Sequence, residues 1–171
     1  MKKEHEIQIK EVFEKTIPTF INKDGKVSID NLIELGDSIN AKLRVLRFIG
    51  EIRNDIDFYC GFYKWIEEDE ITLADEEVDS WEDAEELKLA FHIGKDSNHK
   101  SKREEKLLEE CLQMVKDVVD SSLFMDASLD IWLDESKNLN EEIEYTYMGS
   151  FSLTKHNFNT NHPNHAFQGS C

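Results

Sequence analysis

Residues 67–86, EEDEITLADEEVDSWEDAEE, hold the densest ionisable chemistry of this 171-residue chain. Twelve of those twenty residues are Asp or Glu and none is Lys or Arg, a third of the 37 acids in a chain of formal net charge −17. Carboxylates at this density attract the Lys and Arg side chains of a basic protein and repel DNA, RNA and anionic membranes. Tyr59, Phe62, Tyr63 and Trp65 precede the run and Trp81 lies inside it. Interface hot spots combine aromatic anchors with complementary charge. The expected partner-binding set is therefore Glu67, Glu68, Asp69, Glu70, Asp75, Glu76, Glu77, Asp79 and Trp81. A second acidic group, Asp126, Asp130, Asp134 and Glu135, extends the surface if the fold brings the two together. The competing expectation is solubility alone for the acids, and core packing for Trp81.

Other constellations carry less. Asn22, Asp24 and Gly25 fall at the third, fifth and sixth positions of an EF-hand-like loop. Calcium also needs oxygen ligands at both ends of that loop, and here the ends are Phe20 and Asn31. His156, His162, His165 and Cys171 offer zinc-ligand types, but only His162 and His165 are spaced as a ligand pair. No metal or cofactor is expected. No P-loop, dinucleotide turn, zincin helix, nucleophile elbow or paired-cysteine motif occurs. Carboxylate pairs are too common here to mark a general acid and base, so the chain is read as a non-enzyme. The bases gather in two groups, Lys42, Arg44, Arg47 and Arg53, and Lys95, Lys100, Lys102, Arg103 and Lys106. Neither outweighs the net charge as a nucleic-acid face must.

Residues 31–41, NLIELGDSINA, resemble the helix-start motif of acyl and peptidyl carrier proteins over about eleven positions. The resemblance implies a helical bundle with a phosphopantetheine arm on Ser38. The chain departs from it by lacking a Gly before Asp37 and by placing Lys42 where that family favours an apolar residue.

Hydrophobic periodicity supplies the framework. Ile9, Val12, Phe13, Ile17 and Phe20 make one helical stripe over residues 4–20, with Pro18 disturbing its end. A second helix is expected to start near Ser28 and to carry Leu32, Leu35, Ile39, Leu46, Ile49 and Ile56. The aromatic segment 58–65 and the alternating segment 87–93 read as strands. The acidic run joins them, with Ile71, Leu73 and Val78 forming a short edge strand that its acids protect. Ser101 and Glu104 have capping-box spacing before a third helix carrying Leu107, Leu108, Cys111, Leu112, Val115, Val118 and Val119. Residues 129–134, 143–147 and 151–153 alternate as two or three closing strands.

The expected fold is a single α+β domain over residues 1–155: two N-terminal helices beside a small, mainly antiparallel sheet, with a third helix on its core face. Residues 156–171 read as a polar tail. With no apolar signal segment at the N-terminus and no membrane-length run, the chain reads as cytoplasmic, with Cys60, Cys111 and Cys171 as reduced thiols. These features together suggest an acidic binding protein that acts as a stoichiometric inhibitor, of immunity or antitoxin type, against a basic toxin or nuclease domain. The alternatives are a DNA-mimic inhibitor of a nucleic-acid-binding complex and a carrier-like protein modified at Ser38.

Overall fold

The computed structural model describes residues 1–69, 72–94, 102–120 and 124–155. Helix α1 spans Lys3–Thr16 and buries Ile9 and Phe13. It tightens into a 3₁₀ turn at Ile17–Phe20, where Pro18 supplies no backbone donor. A short 3₁₀ turn, Ile29–Asn31, then leads into α2, Leu32–Phe48. Ser28 precedes that turn in extended backbone and makes no side-chain cap.

Helix α2 stops sooner than the expected run to Ile56. Gly50 takes φ 82°, a left-handed angle that costs glycine little. The Gly50 amide donates to the Arg47 carbonyl and the Glu51 amide to that of Leu46, both at 3.0 Å. That is the hydrogen-bond pair of a Schellman stop. The apolar residues beyond it serve other elements: Ile52 packs into the core, and Ile56 opens the first strand.

The strands are β1 (Ile56–Glu67), β2 (Leu73–Val78), β3 (Glu86–Gly94), β4 (Phe124–Lys137) and β5 (Ile143–Lys155), with α3 (Lys102–Val118) between β3 and β4. They form one antiparallel sheet in the order β2-β1-β3-β5-β4. The expected two or three closing strands are two, because β5 runs unbroken through Gly149. The expected edge strand inside the acidic run is β2, which carries Leu73 and Val78; Ile71 lies outside the described residues.

All three helices contribute to one core against one face of the sheet. Phe13 of α1, Phe58 of β1 and Phe91 of β3 meet with ring centroids 5.2–5.8 Å apart. Leu107, Leu108, Cys111, Leu112 and Val115 bury the expected face of α3. Its capping-box Glu104 is also buried and accepts the Met1 amine at 3.2 Å; Ser101 lies outside the described residues. Helix α2 lies close against the sheet at Gly36, where a Cβ would stand 2.8 Å from the Cys60 Cβ. Asn40, one turn on, accepts the Phe58 amide at 3.1 Å through its side-chain oxygen. Part of β1 beyond the reach of β2 is tied to a helix in this way.

Candidate docking surface

A strand shows alternate residues to opposite faces, so the register fixes what the other side of the sheet presents. Tyr59, Tyr63 and Trp65 of β1 lie on the face away from the helices, with Lys88 and His92 of β3, Met148 and Ser150 of β5, and Trp132 of β4. No described helix packs on this face. Tyr59 remains 43% exposed and Trp132 41% exposed. The register places these aromatics among carboxylates and small hydroxyls.

The acidic stretch is divided by its own hairpin. Asp75 and Glu77 lie on the open face, opposite Trp65 and Tyr63, whereas Glu76 lies on the other face opposite Lys64. Asp75 holds the Lys88 ammonium, and Glu76 pairs with Lys64 at 3.5 Å. Burial draws Lys88 down. Its hydrogen bond to Asp75 and the charges of Glu86 and Asp75 outweigh that, so its pKa stands above the ordinary lysine value. Asp69 caps the hairpin turn by accepting the Thr72 amide at 3.0 Å. Glu67, Glu68 and Asp79 are exposed, and Glu70 lies outside the described residues.

Trp81 is a core residue, 6% exposed, with its ring centroid 5.8 Å from that of Phe62. The Lys155 ammonium stands 4.9 Å from the Trp81 ring and donates to the carbonyls of Trp81 and Glu82. The indole therefore cannot anchor a partner without leaving the core. On the open sheet face the exposed aromatics that can are Tyr59 and Trp132. The strict alternation of residues 129–134 signals that Trp132 faces away from Leu129, Ile131 and Leu133, but sequence alone cannot tell which face the helices cover.

The second acidic group sits on β4, at the opposite edge of the sheet from β2. The two edges are four strand spacings apart, about 19 Å, so they form two rims and not one patch. Asp126, Asp130 and Asp134 lie on the open face opposite Thr154, Ser150 and Thr146, hydroxyls that cannot neutralise them. None of the three pairs with a cation among the described residues. Glu135 lies on the other face, opposite Tyr145. Among the strand residues of the open face Lys88 is the single lysine or arginine, and Asp75 already holds it; Arg53, ahead of β1, lines a pocket with Gly94, Ser136, Glu144 and Thr146 at one end of that face.

The remaining candidates resolve locally. The Asn22 side-chain oxygen accepts the amides of Asp24 at 2.9 Å and Lys26 at 3.2 Å, closing the EF-hand-like segment as an ordinary turn. Ser38 lies within α2, not at a helix start, and accepts the Lys42 ammonium at 3.3 Å. The bundle implied by the carrier resemblance is not what the chain builds. Among the described residues no cluster of three His, Cys, Asp or Glu could hold a metal; the tail histidines and Cys171 lie outside them. Cys60 and Cys111 are buried free thiols whose pKa values burial pushes well up. No described helix is long and apolar enough to cross a membrane. No protein-family model matches the chain, and no curated protein matches its sequence.

Proposed function

We propose that the protein is a stoichiometric inhibitor of immunity or antitoxin type, whose bare sheet face docks a basic protein such as a toxin or nuclease domain. The observation that carries this reading is the row Asp126, Asp130 and Asp134, without cation partners among the described residues, beside the exposed Trp132. Solubility or edge protection would account for the three carboxylates, but not for an exposed indole beside them. A partner that supplies Lys and Arg to the acids and covers the aromatics accounts for both.

The dimensions agree. Five strands span about 24 Å, and the nine residues of β3 about 30 Å, giving about 700 Å². A standard interface covers about 800 Å² per partner. Tyr59 and Trp132 then act as anchors, the acids of β4 and of the β1–β2 hairpin as steering charges, and Lys88 as a fixed internal counter-charge.

The test is affinity capture from source-cell lysate, washed at about 0.1 M and then about 1 M salt, which shortens the screening length from about 10 Å to 3 Å. One stoichiometric basic protein, weakened by the second wash and lost with Trp132→Ala, is the expected result. Failure to retain any specific protein at low salt, with the source's toxins confirmed as expressed, would leave the acids a solubilising role only.

A further inference from the structure

We propose that the outer edge of β4 pairs with an extended basic segment of the partner, which adds a sixth strand to the sheet. This rests on the docking reading above and specifies its mode. β4 is the longest strand, fourteen residues, and lies at an edge. No backbone hydrogen bond to a further strand occupies its outer side among the described residues. Such an edge is a ready template for strand addition. The other edges are managed within the chain. β2 is only six residues long, with Asp75 and Glu76 neutralised, and β1 beyond β2 donates to Asn40.

Side chains specify the occupant. On the helix side of β4, Leu129, Ile131 and Leu133 are half-buried, while Tyr145, Tyr147, Phe151 and Leu153 on β5 are buried. A strand laid outside β4 with apolar residues on that side completes their cover. On the open side it meets Asp126, Asp130 and Asp134, so its alternate residues there are Lys or Arg, each opposite pair adding to the contact. A second copy is a poor occupant. Antiparallel self-pairing about Asp130 sets Asp126 against Asp134 and Asp130 against its own copy, and like charges directly opposite are destabilising.

The probe is a blocked peptide of about ten residues alternating Lys and Val, long enough to lie along β4. Its control is the same composition in scrambled order. Backbone amide exchange of the full chain is followed by NMR at about 1 mM peptide, enough to populate a weak contact. The alternating peptide is expected to slow exchange at β4 amides by about tenfold, with β2 unaffected. The scrambled peptide is expected not to, and Asp130→Lys to weaken binding by about tenfold.

Open-face shifts at Tyr59 and Trp132 without β4 protection would overturn strand addition and leave the docking reading standing. Absence of any shift, together with an empty lysate capture, would remove both. Concentration-dependent dimerisation of the free protein with the same amides protected would assign the edge to a second copy and overturn the basic-segment proposal.

Discussion

Replacing Asp126, Asp130 and Asp134 together by Asn separates function from folding. Neighbouring members of the row are four residues apart on one strand, about 13 Å. At that distance two unit charges in water repel by about 0.3 kcal/mol, and screening over about 10 Å lowers this to about 0.1 kcal/mol. The carboxylates also face hydroxyls of β5 and, among the described residues, pair with no cation. The triple variant should therefore keep its unfolding free energy within about 0.5 kcal/mol of the parent, as ordinary surface substitutions do. Binding should respond differently. At about 0.5 kcal/mol per exposed pair, losing three pairs weakens capture of the basic partner by about tenfold. Most of that should appear in the association rate at low salt and fade as salt rises. Urea unfolding gives the first quantity and surface-immobilised binding kinetics the second. A loss of more than about 1.5 kcal/mol in stability would show that the row supports the fold. Unchanged association in a fully folded variant would refute its role in docking.

The aromatic residues should divide in the same way. Tyr59→Ala and Trp132→Ala, at side chains each more than half covered, should cost about 1–2 kcal/mol of stability, yet about 2 kcal/mol or more of partner binding. Trp81→Ala, which empties a core site beside Phe62, should cost about 3–5 kcal/mol in a urea titration. Equal stability losses at Trp132 and Trp81 would contradict the assignment of faces. Gly36→Ala gains about 1 kcal/mol of helix propensity, but its methyl would meet the Cys60 Cβ at 2.8 Å and the Cys60 amide nitrogen at 3.3 Å. Overpacking of about 1–3 kcal/mol should make the substitution net destabilising, and a raised Tm would refute this close approach of α2 to β1. In a Cys171→Ser background, burial should keep Cys60 and Cys111 silent to a thiol reagent at about pH 8. Both should react once urea unfolds the chain; a rapid equivalent from the native protein would place one of them at the surface.

Much of the framework is legible from periodicity alone because one face of each element is apolar. The alternation over residues 87–93 becomes the alternating burial of β3, and the α3 stripe is buried over its central turns. The end of α2 is harder to read. Ile49, Ile52 and Ile56 prolong an apolar pattern past the stop at Gly50, and only tertiary packing decides that Ile52 enters the core and Ile56 begins a strand. The candidate docking surface is harder still. Charge density marks residues 67–86, but whether an acid is available depends on what lies across the strand. Lys64 and Lys88 neutralise Glu76 and Asp75, while the less dense row on β4 faces only hydroxyls. Sequence separation hides these pairings, because register sets them.

The acidic run and the β4 row thus have different physical work. Edge strands invite pairing with other chains, and charged side chains on a short edge strand suppress it. β2 fits that description: six residues, acids on both faces, and lysine contacts that hold it to β1 and β3. Its high charge density then protects one end of the sheet and, in the docking reading, adds long-range attraction without having to lie at the centre of an interface. β4 has the opposite character. It is long, its apolar side is half-covered, and Asp126, Asp130 and Asp134 recur every four residues without cation partners among the described residues. Such spacing blocks self-pairing in the register centred on Asp130 while accepting a basic strand in that register. A selective edge needs both properties, since a neutral edge of this length would pair with copies of itself and a fully neutralised one would offer a basic partner no charge to read.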